Sequence, residues 1–198
     1  MSKWIERWIE SKTTGINYDA MSGWSKEDYE DETRILKSII REFLQFDSEK
    51  YRDVIDFGCG LGRFCDMFEG YIGVDIIPEM IEENKIKYPD CRWLYIKENE
   101  YLPYYKYDLV FCFTSIQHLS DDELITFLDN CIGTRNIFIG ESIPTDYDKL
   151  GEGEYNRSSR YIELILKAYG YEIKKTGTLK SREEYYFIWA NLGAKSSA

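Results

Sequence analysis

Val54-Ile55-Asp56-Phe57-Gly58-Cys59-Gly60-Leu61-Gly62-Arg63-Phe64 is the stretch that decides the fold. Val54–Phe57 is a short apolar run that ends at glycine, the pattern of a buried strand. Three glycines at alternate positions then turn the chain, and the spacing predicts that a helix follows at once. Such a junction presents backbone N–H groups at a helix N-terminus, and the missing Cβ atoms let a ligand approach the main chain. By itself the turn is a weak signal, since any tight strand-to-helix turn can use glycine.

The next apolar run sharpens it. Tyr71–Val74 reads as a second strand, closed by Asp75. This acid lies about 20 residues beyond Asp56, the position from which a carboxylate accepts hydrogen bonds from ribose hydroxyls. Its other possible role is to cap the helix that begins near Pro78. The glycines are spaced G-x-G-x-G, not the G-x-G-x-x-G of dinucleotide sites. Asp56 stands two positions before Gly58, where its charge repels a pyrophosphate and orients a cationic amine. That charge logic opposes a nicotinamide-dependent oxidoreductase and favours a phosphate-free, positively charged nucleoside.

Working outward, the alternation of elements continues to the end of the sequence. Cys91–Ile96, Tyr107–Phe113 and Asn136–Glu141 read as further strands, Tyr107–Phe113 being apolar enough for burial on both faces. Helices are predicted from Pro78, from the capping box Ser120-Asp121-Asp122-Glu123 to about Cys131, and over Arg157–Tyr169, where Gly170 stops the last one. Tyr171–Gly177 and Glu184–Asn191 alternate as an antiparallel pair about Lys180-Ser181. Upstream, Ser25–Phe46 has Ile35, Leu36, Ile39, Ile40, Phe43 and Leu44 on one stripe of an amphipathic helix. Met1–Ser11 also has helical spacing, with Trp4, Ile5, Trp8 and Ile9 as core, partner surface or substrate lid. The sum is an α/β chain with a parallel sheet between helices.

Composition narrows the partners. The chain has 198 residues, enough for one domain with a sizeable core, and a net charge of −11. Nucleic acid and anionic membranes both call for a basic surface, so neither is expected as a partner. No apolar run approaches a bilayer span, and Glu6 and Glu10 are unlike a secretory leader. The cysteines Cys59, Cys65, Cys91, Cys112 and Cys131 form no CxxC pair, and one His leaves few partners for zinc, so no metal site is expected. They read as reduced thiols of a cytoplasmic protein.

Taken together, the sequence resembles the class I S-adenosylmethionine-dependent methyltransferases. Val54–Phe64 is similar to their glycine-rich first motif, and Tyr71-Ile72-Gly73-Val74-Asp75 to the second, ribose-binding one. Glu98-Asn99-Glu100-Tyr101-Leu102-Pro103, followed by Tyr107-Asp108-Leu109-Val110-Phe111, resembles a third motif, with Glu in place of the commoner Asp. Phe113-Thr114-Ser115-Ile116-Gln117-His118-Leu119 resembles the segment after the fourth strand, and Asn17-Tyr18-Asp19 with Trp24 the aromatic segment that closes over the cofactor.

The resemblance implies a Rossmann-like, doubly wound, mostly parallel seven-stranded sheet with an antiparallel last strand, plus N-terminal helices. It implies a single domain over 1–198: N-terminal helices and cofactor lid in 1–50, cofactor-binding core in 51–141, acceptor-side loop, helix and final strands in 142–198. S-adenosylmethionine is the implied cofactor and S-adenosylhomocysteine the product. The residues implied to hold it are Tyr18, Trp24, Asp56, Gly58, Gly60, Gly62, Arg63, Asp75, Ile76, Glu98, Asn99, Phe113 and Ser115.

Methyl transfer from a sulfonium needs alignment more than proton chemistry, and only an acceptor oxygen of high pKa needs a base. His118, the one histidine, is the candidate base or else a structural residue of its loop. Arg63 either holds the methionine carboxylate or caps the loop. Asp146, Tyr147, Asp148, Glu152, Glu154 and Tyr155 form an acidic, tyrosine-rich segment, either a rim for a polar or cationic acceptor or a solvated loop. The expected acceptor is an oxygen or nitrogen atom of a small molecule, sugar or similar metabolite. A protein methyltransferase and an inactive methyltransferase-like binding module are the alternatives, and the oligomeric state is left open.

Overall fold

Each of these apolar runs forms a strand in the computed structural model, which describes residues 25–45, 51–97, 106–143, 155 and 157–193. The order is α1 (Lys26–Phe43), β1 (Asp53–Phe57), β2 (Gly70–Asp75), α2 (Pro78–Lys87), β3 (Arg92–Tyr95) and β4 (Leu109–Phe113). Then follow α3 (Asp121–Cys131), β5 (Asn136–Ile143), α4 (Ser159–Ala168), β6 (Tyr171–Lys180) and β7 (Glu184–Leu192). The helix of Met1–Ser11 lies outside the described residues. No helix among the described residues is long and apolar enough to cross a membrane.

The strands make one seven-stranded sheet, ordered β3-β2-β1-β4-β5-β7-β6. Pairing is parallel from β3 through β5, and β7 runs antiparallel to both β5 and β6. The expected doubly wound sheet with its antiparallel last strand is therefore what forms. The capping box of α3 is present, with Ser120 and Glu123 exchanging both bonds, and Gly170 ends α4 with a φ of 86°.

Alternation along each strand separates two cores. One face packs Val54, Tyr71, Trp93, Phe111, Phe138 and Phe187 against Leu36, Ile40 and Phe43 of α1. The other packs Ile55, Ile72, Val110, Ile139 and Ile188 against Phe127 and Leu128 of α3 and Ile162 and Leu166 of α4. Much of the aromatic content goes into the first face. The Phe111 and Phe138 rings stack at 4.9 Å, and Phe138 stacks on Phe187 at 6.0 Å.

One expectation fails. The glycine loop does not run into a helix: turns carry the chain to a three-residue 3₁₀ segment, Cys65–Met67. The cause is the composition of this crossover. Leu61, Phe64, Cys65, Met67 and Phe68 are all buried, so a helix here would have scarcely any polar face to turn to water. Asp66, the exposed residue among them, pairs with Lys37 of α1 at 2.5 Å.

Trp93 sets how closely this crossover lies on the sheet. It pairs opposite Gly73, and a Cβ on Gly73 would meet its ring at 2.4 Å, one on Gly62 at 2.5 Å. The indole Nε1 donates to Tyr88 O at 3.0 Å, which fixes the ring. Overpacking against a fixed ring costs about 1–3 kcal/mol. Gly73→Ala is thus expected to lower the unfolding free energy by that much, read as a lower urea midpoint at an unchanged m-value; a wild-type midpoint would show that Trp93 is free to move.

Candidate cofactor site

The sheet order reverses between β1 and β4, and in open α/β sheets the crevice at the carboxyl ends of such a pair is where ligands bind. Here those ends are Phe57 with the glycine loop, and Phe113 with the turn that follows it. Asp75 closes the third wall from β2.

Gly58, Gly60 and Gly62 all have positive φ, at 72°, 51° and 69°, but they do different work. A Cβ on Gly58 would strike Ser115 Oγ at 2.4 Å, and one on Gly62 the Trp93 ring, whereas one on Gly60 meets nothing within 4 Å. Only Gly60 borders open space. Several loop amides are engaged within the protein: those of Gly58 and Cys59 donate to Val74 O at 2.9 and 3.0 Å, and that of Gly62 to Cys59 O at 2.9 Å. With no helix after the loop, its share of the site is a cradle of shape and not a row of helix-terminal donors.

Asp75 is 8% exposed. Its Oδ2 accepts from Gly60 N at 2.9 Å and its Oδ1 from Ile77 N at 3.0 Å. The acid therefore faces the crevice and also caps the start of α2, so the two roles read from the sequence coexist. A carboxylate has about four acceptor sites, so these bonds are compatible with ribose hydroxyls. Asn84, buried on α2, completes the clamp by donating to Gly60 O at 2.7 Å. Sequence reasoning missed Asn84; its only signal was a polar residue on the buried stripe of that helix.

Asp56 lies beneath the loop, 2% exposed, and accepts the Tyr71 hydroxyl at 2.6 Å. Burial pushes its carboxyl up to about 7, opposed by the Tyr71 hydrogen bond and the Arg63 charge. Arg63 is half-buried among aromatic faces, its guanidinium 4.7 Å from the Phe113 ring, 4.9 Å from Phe64 and 5.5 Å from Tyr29 of α1. Ile76 is half-buried and packs against the second face.

Beyond β4 the backbone is strained, since Thr114, a β-branched residue, has a φ of 52°. Strain of this kind collects at functional sites. Ser115 Oγ is shared between Gly58 O at 3.1 Å and Phe113 O at 3.0 Å, which joins this turn to the glycine loop. His118 ends a 3₁₀ turn, Ile116–His118, with its Nε2 3.4 Å from the Gln117 amide nitrogen. Glu141 of β5, buried at 2% exposure, accepts the amides of Ser115 and Ile116 at 3.1 and 2.9 Å. It too went unrecognised, although it ends an apolar strand as Asp75 does. Burial pushes its carboxyl up to about 8 against the pull of the Ile116, Ser115 and Gln117 amides and of Arg157. The cofactor contacts expected of Tyr18, Trp24, Glu98 and Asn99, and the rim residues from Asp146 to Glu154, lie outside the described residues.

Comparison with known proteins bears on this crevice. The family model described as a methyltransferase domain matches residues 54–134, from β1 to just past α3. No curated protein shows significant sequence similarity to the chain. Among solved structures, magnesium protoporphyrin IX methyltransferase from Synechocystis PCC 6803 with bound SAH is similar at a TM-score of 0.67, over 96% of this chain and 94% of that one, at 17% identity. A SAM dependent methyltransferase from Archaeoglobus fulgidus gives 0.62 over 80% and 94%, at 21% identity. Phosphoethanolamine N-methyltransferase 1 from Haemonchus contortus, in complex with phosphoethanolamine and S-adenosylhomocysteine, gives 0.73 over 99% of this chain and 50% of that one, at 17% identity.

Two outcomes follow from the geometry. Gly60→Ala should cost only the roughly 1–2 kcal/mol of a left-handed alanine and lose nucleoside affinity by about tenfold or more, because its methyl enters open space. Gly62→Ala carries the same backbone cost and also strikes the Trp93 ring, so it should lose distinctly more stability; calorimetry and urea melts on both variants separate the two effects, and equal behaviour would refute the distinction. The buried acids set a pH dependence. Asp56 and Glu141 keep protons in the folded state up to about 7 and 8, which the unfolded chain releases near 3.8 and 4.5. Their contribution is therefore full below about pH 4, falls by up to about 1.4 kcal/mol per pH unit for each group as pH rises from there, and levels off once pH passes about 7 for Asp56 and about 8 for Glu141. Asp56→Asn should flatten the Asp56 part in melts taken at intervals across that range, and an unchanged slope would contradict the assignment.

Proposed function

We propose that this chain is a class I S-adenosylmethionine-dependent methyltransferase that transfers the methyl group to an oxygen or nitrogen atom of a small molecule; a methyltransferase domain model matches residues 54–134, and the fold is that of solved methyltransferases. Its cofactor is S-adenosylmethionine, with S-adenosylhomocysteine as the product. One observation carries the reading: Asp75 bonded to Gly60 N, beside the one loop glycine that borders open space.

In this reading Asp75 accepts the ribose hydroxyls and Gly60 admits the nucleoside. Gly58 and Gly62 hold the loop's shape against Ser115 and Trp93. Arg63 answers the methionine carboxylate, and Asp56, which gives up its proton when a cation lies near, turns negative charge from beneath the loop toward the ammonium. Ile76, Phe113 and Ser115 line the crevice, with Tyr18, Trp24, Glu98 and Asn99 assigned by resemblance. When bound, the cofactor supplies a methyl group already activated by a cationic sulfur. What the protein adds is alignment of the acceptor and exclusion of water. His118, just past β4, is the candidate base where the acceptor is a hydroxyl.

Small-molecule acceptors accord with two of the structural neighbours, whose names specify a magnesium porphyrin and phosphoethanolamine. The net charge of −11 favours a neutral or cationic acceptor over nucleic acid. The five cysteines are free, in keeping with a reducing, cytoplasmic setting. The chain works as one unit, with residues 142–198 on the acceptor side.

Calorimetric titration tests the reading. Wild-type chain is expected to bind both S-adenosylmethionine and S-adenosylhomocysteine, and Asp75→Asn to bind each about tenfold or more weakly, as befits loss of a charged acceptor of two hydroxyls. A metabolite pool incubated with enzyme and cofactor should yield a product heavier by one methyl group. Absence of binding to the wild-type chain would remove the basis of the assignment.

A further inference from the structure

A second recess opens on the other side of the turn after β4. It is lined by Gln117, Glu141, Ser142, Tyr155, Arg157 and Tyr186. Glu141 is almost wholly buried there; its Oε1 holds the amides of Ser115 and Ile116, and its Oε2 has no partner among the described residues. A buried acceptor in that condition is unfavourable until a donor reaches it.

The neighbouring polar groups are already engaged. Gln117 Oε1 accepts the Ser142 hydroxyl at 2.9 Å, and the Gln117 carbonyl accepts the Tyr155 amide at 2.6 Å. Arg157 donates to the carbonyls of Ile116 and Leu119 at 3.0 and 2.7 Å and to Asp121 at 2.7 Å. The Tyr186 hydroxyl donates to Arg157 O at 3.3 Å. Glu141 Oε2 is thus the acceptor this wall holds out to a ligand.

We propose that this recess is the recognition subsite for the acceptor molecule, and that Glu141 Oε2 accepts a hydrogen bond from an ammonium group of an amine-bearing small molecule; this rests on the methyltransferase reading above. The ammonium is a handle that orients the molecule. A protonated nitrogen has no lone pair, so the methyl group goes to another atom, or to this one only after its proton leaves.

An amine is favoured over an alcohol by charge. An ammonium brings the positive charge that an ionised, buried carboxylate requires, whereas a hydroxyl leaves that charge unpaired. Among the described residues the cation acting on Glu141 is Arg157, which is paired with Asp121, and the Tyr155 ring beside its guanidinium, at 5.5 Å, offers a face that suits a second cation. Tyr186 and Cys112 are the other titratable groups in the field of Glu141 among the described residues. Since burial keeps the free acid protonated to about pH 8, amine binding should displace that proton.

The test uses the full chain saturated with S-adenosylhomocysteine, titrated with ethanolamine and n-butylamine and, as controls, ethylene glycol and n-butanol. Calorimetry should show saturable binding of the amines and not of the alcohols. In chain labelled with carbon-13 at glutamate carboxyls, the resonance titrating highest should be lost in Glu141→Gln and should move to a lower midpoint when ethanolamine is added. Glu141→Gln keeps an oxygen for the Ser115 and Ile116 amides, so it should retain S-adenosylhomocysteine affinity and bind amines about tenfold or more weakly. The proposal is overturned if no amine saturates, if the alcohols bind as well, or if the variant binds amines as the wild type does. Should the variant not fold, the shift of the wild-type resonance with amine decides. If S-adenosylhomocysteine itself does not bind, the methyltransferase reading fails separately, and the amine titration of the unliganded chain still judges the subsite.

Discussion

The Asp75 carboxylate bridging the Gly60 and Ile77 amides is the contact on which the site's geometry depends. Because one oxygen takes each amide, the end of β2 sets both the path of the glycine loop and the first turn of α2. That helix returns the constraint through Asn84, which holds the Gly60 carbonyl. Gly60 then has both backbone polar groups fixed from outside the loop while its Cα faces open space. Hydrogen bonds to a charged acceptor are about twice as strong as neutral ones, so the ionised acid is the dominant partner in this clamp. The loop takes its shape from neighbours in β2, α2 and the turn after β4, and not from a helix following it.

That arrangement explains what was legible in the sequence. Strands β1 to β5 and helices α1 to α4 were readable because periodicity and caps act locally, and their ends differ from the reading by no more than three residues. Asp75 was readable because its role follows from spacing along the chain. The missing helix was not, since Gly58–Phe64 has glycine spacing compatible with one, and only the burial of Leu61, Phe64, Met67 and Phe68 on every side decides against it. Asp56 with Tyr71, and Trp93 with Gly62 and Gly73, depend on the registers that set β1 beside β2 and β2 beside β3. Register is a property of pairs of strands, and no single segment announces it.

Two of the site's buried acids, Asp56 and Glu141, occupy opposite faces of the sheet. Asp56 belongs with Val54 and Tyr71 on the α1 side, and Glu141 follows Ile137 and Ile139 on the side of α3 and α4. Each ends up next to a turn, but they act differently. Asp56 is satisfied by a side chain, Tyr71, and supports the glycine loop from below. Glu141 binds backbone amides of the turn after β4 through one oxygen alone. The first arrangement is closed and structural in form; the second keeps an acceptor in reserve.

Ser115 connects them. Its amide is held by Glu141 Oε1, and its hydroxyl reaches the Gly58 carbonyl. A displacement of the Glu141 carboxyl by a ligand in the recess would therefore move Ser115, and with it the carbonyl at the start of the glycine loop, by way of two hydrogen bonds. Gly58 has no Cβ to absorb such a shift, and one would collide with Ser115 Oγ. The contact is tight for that reason, and tight contacts transmit displacement where loose ones dissipate it. The strained backbone at Thr114 lies one residue before this joint. The glycine loop and the Glu141 recess thus share a single serine, and the hydrogen bonds between them run through the turn after β4 rather than through either hydrophobic core.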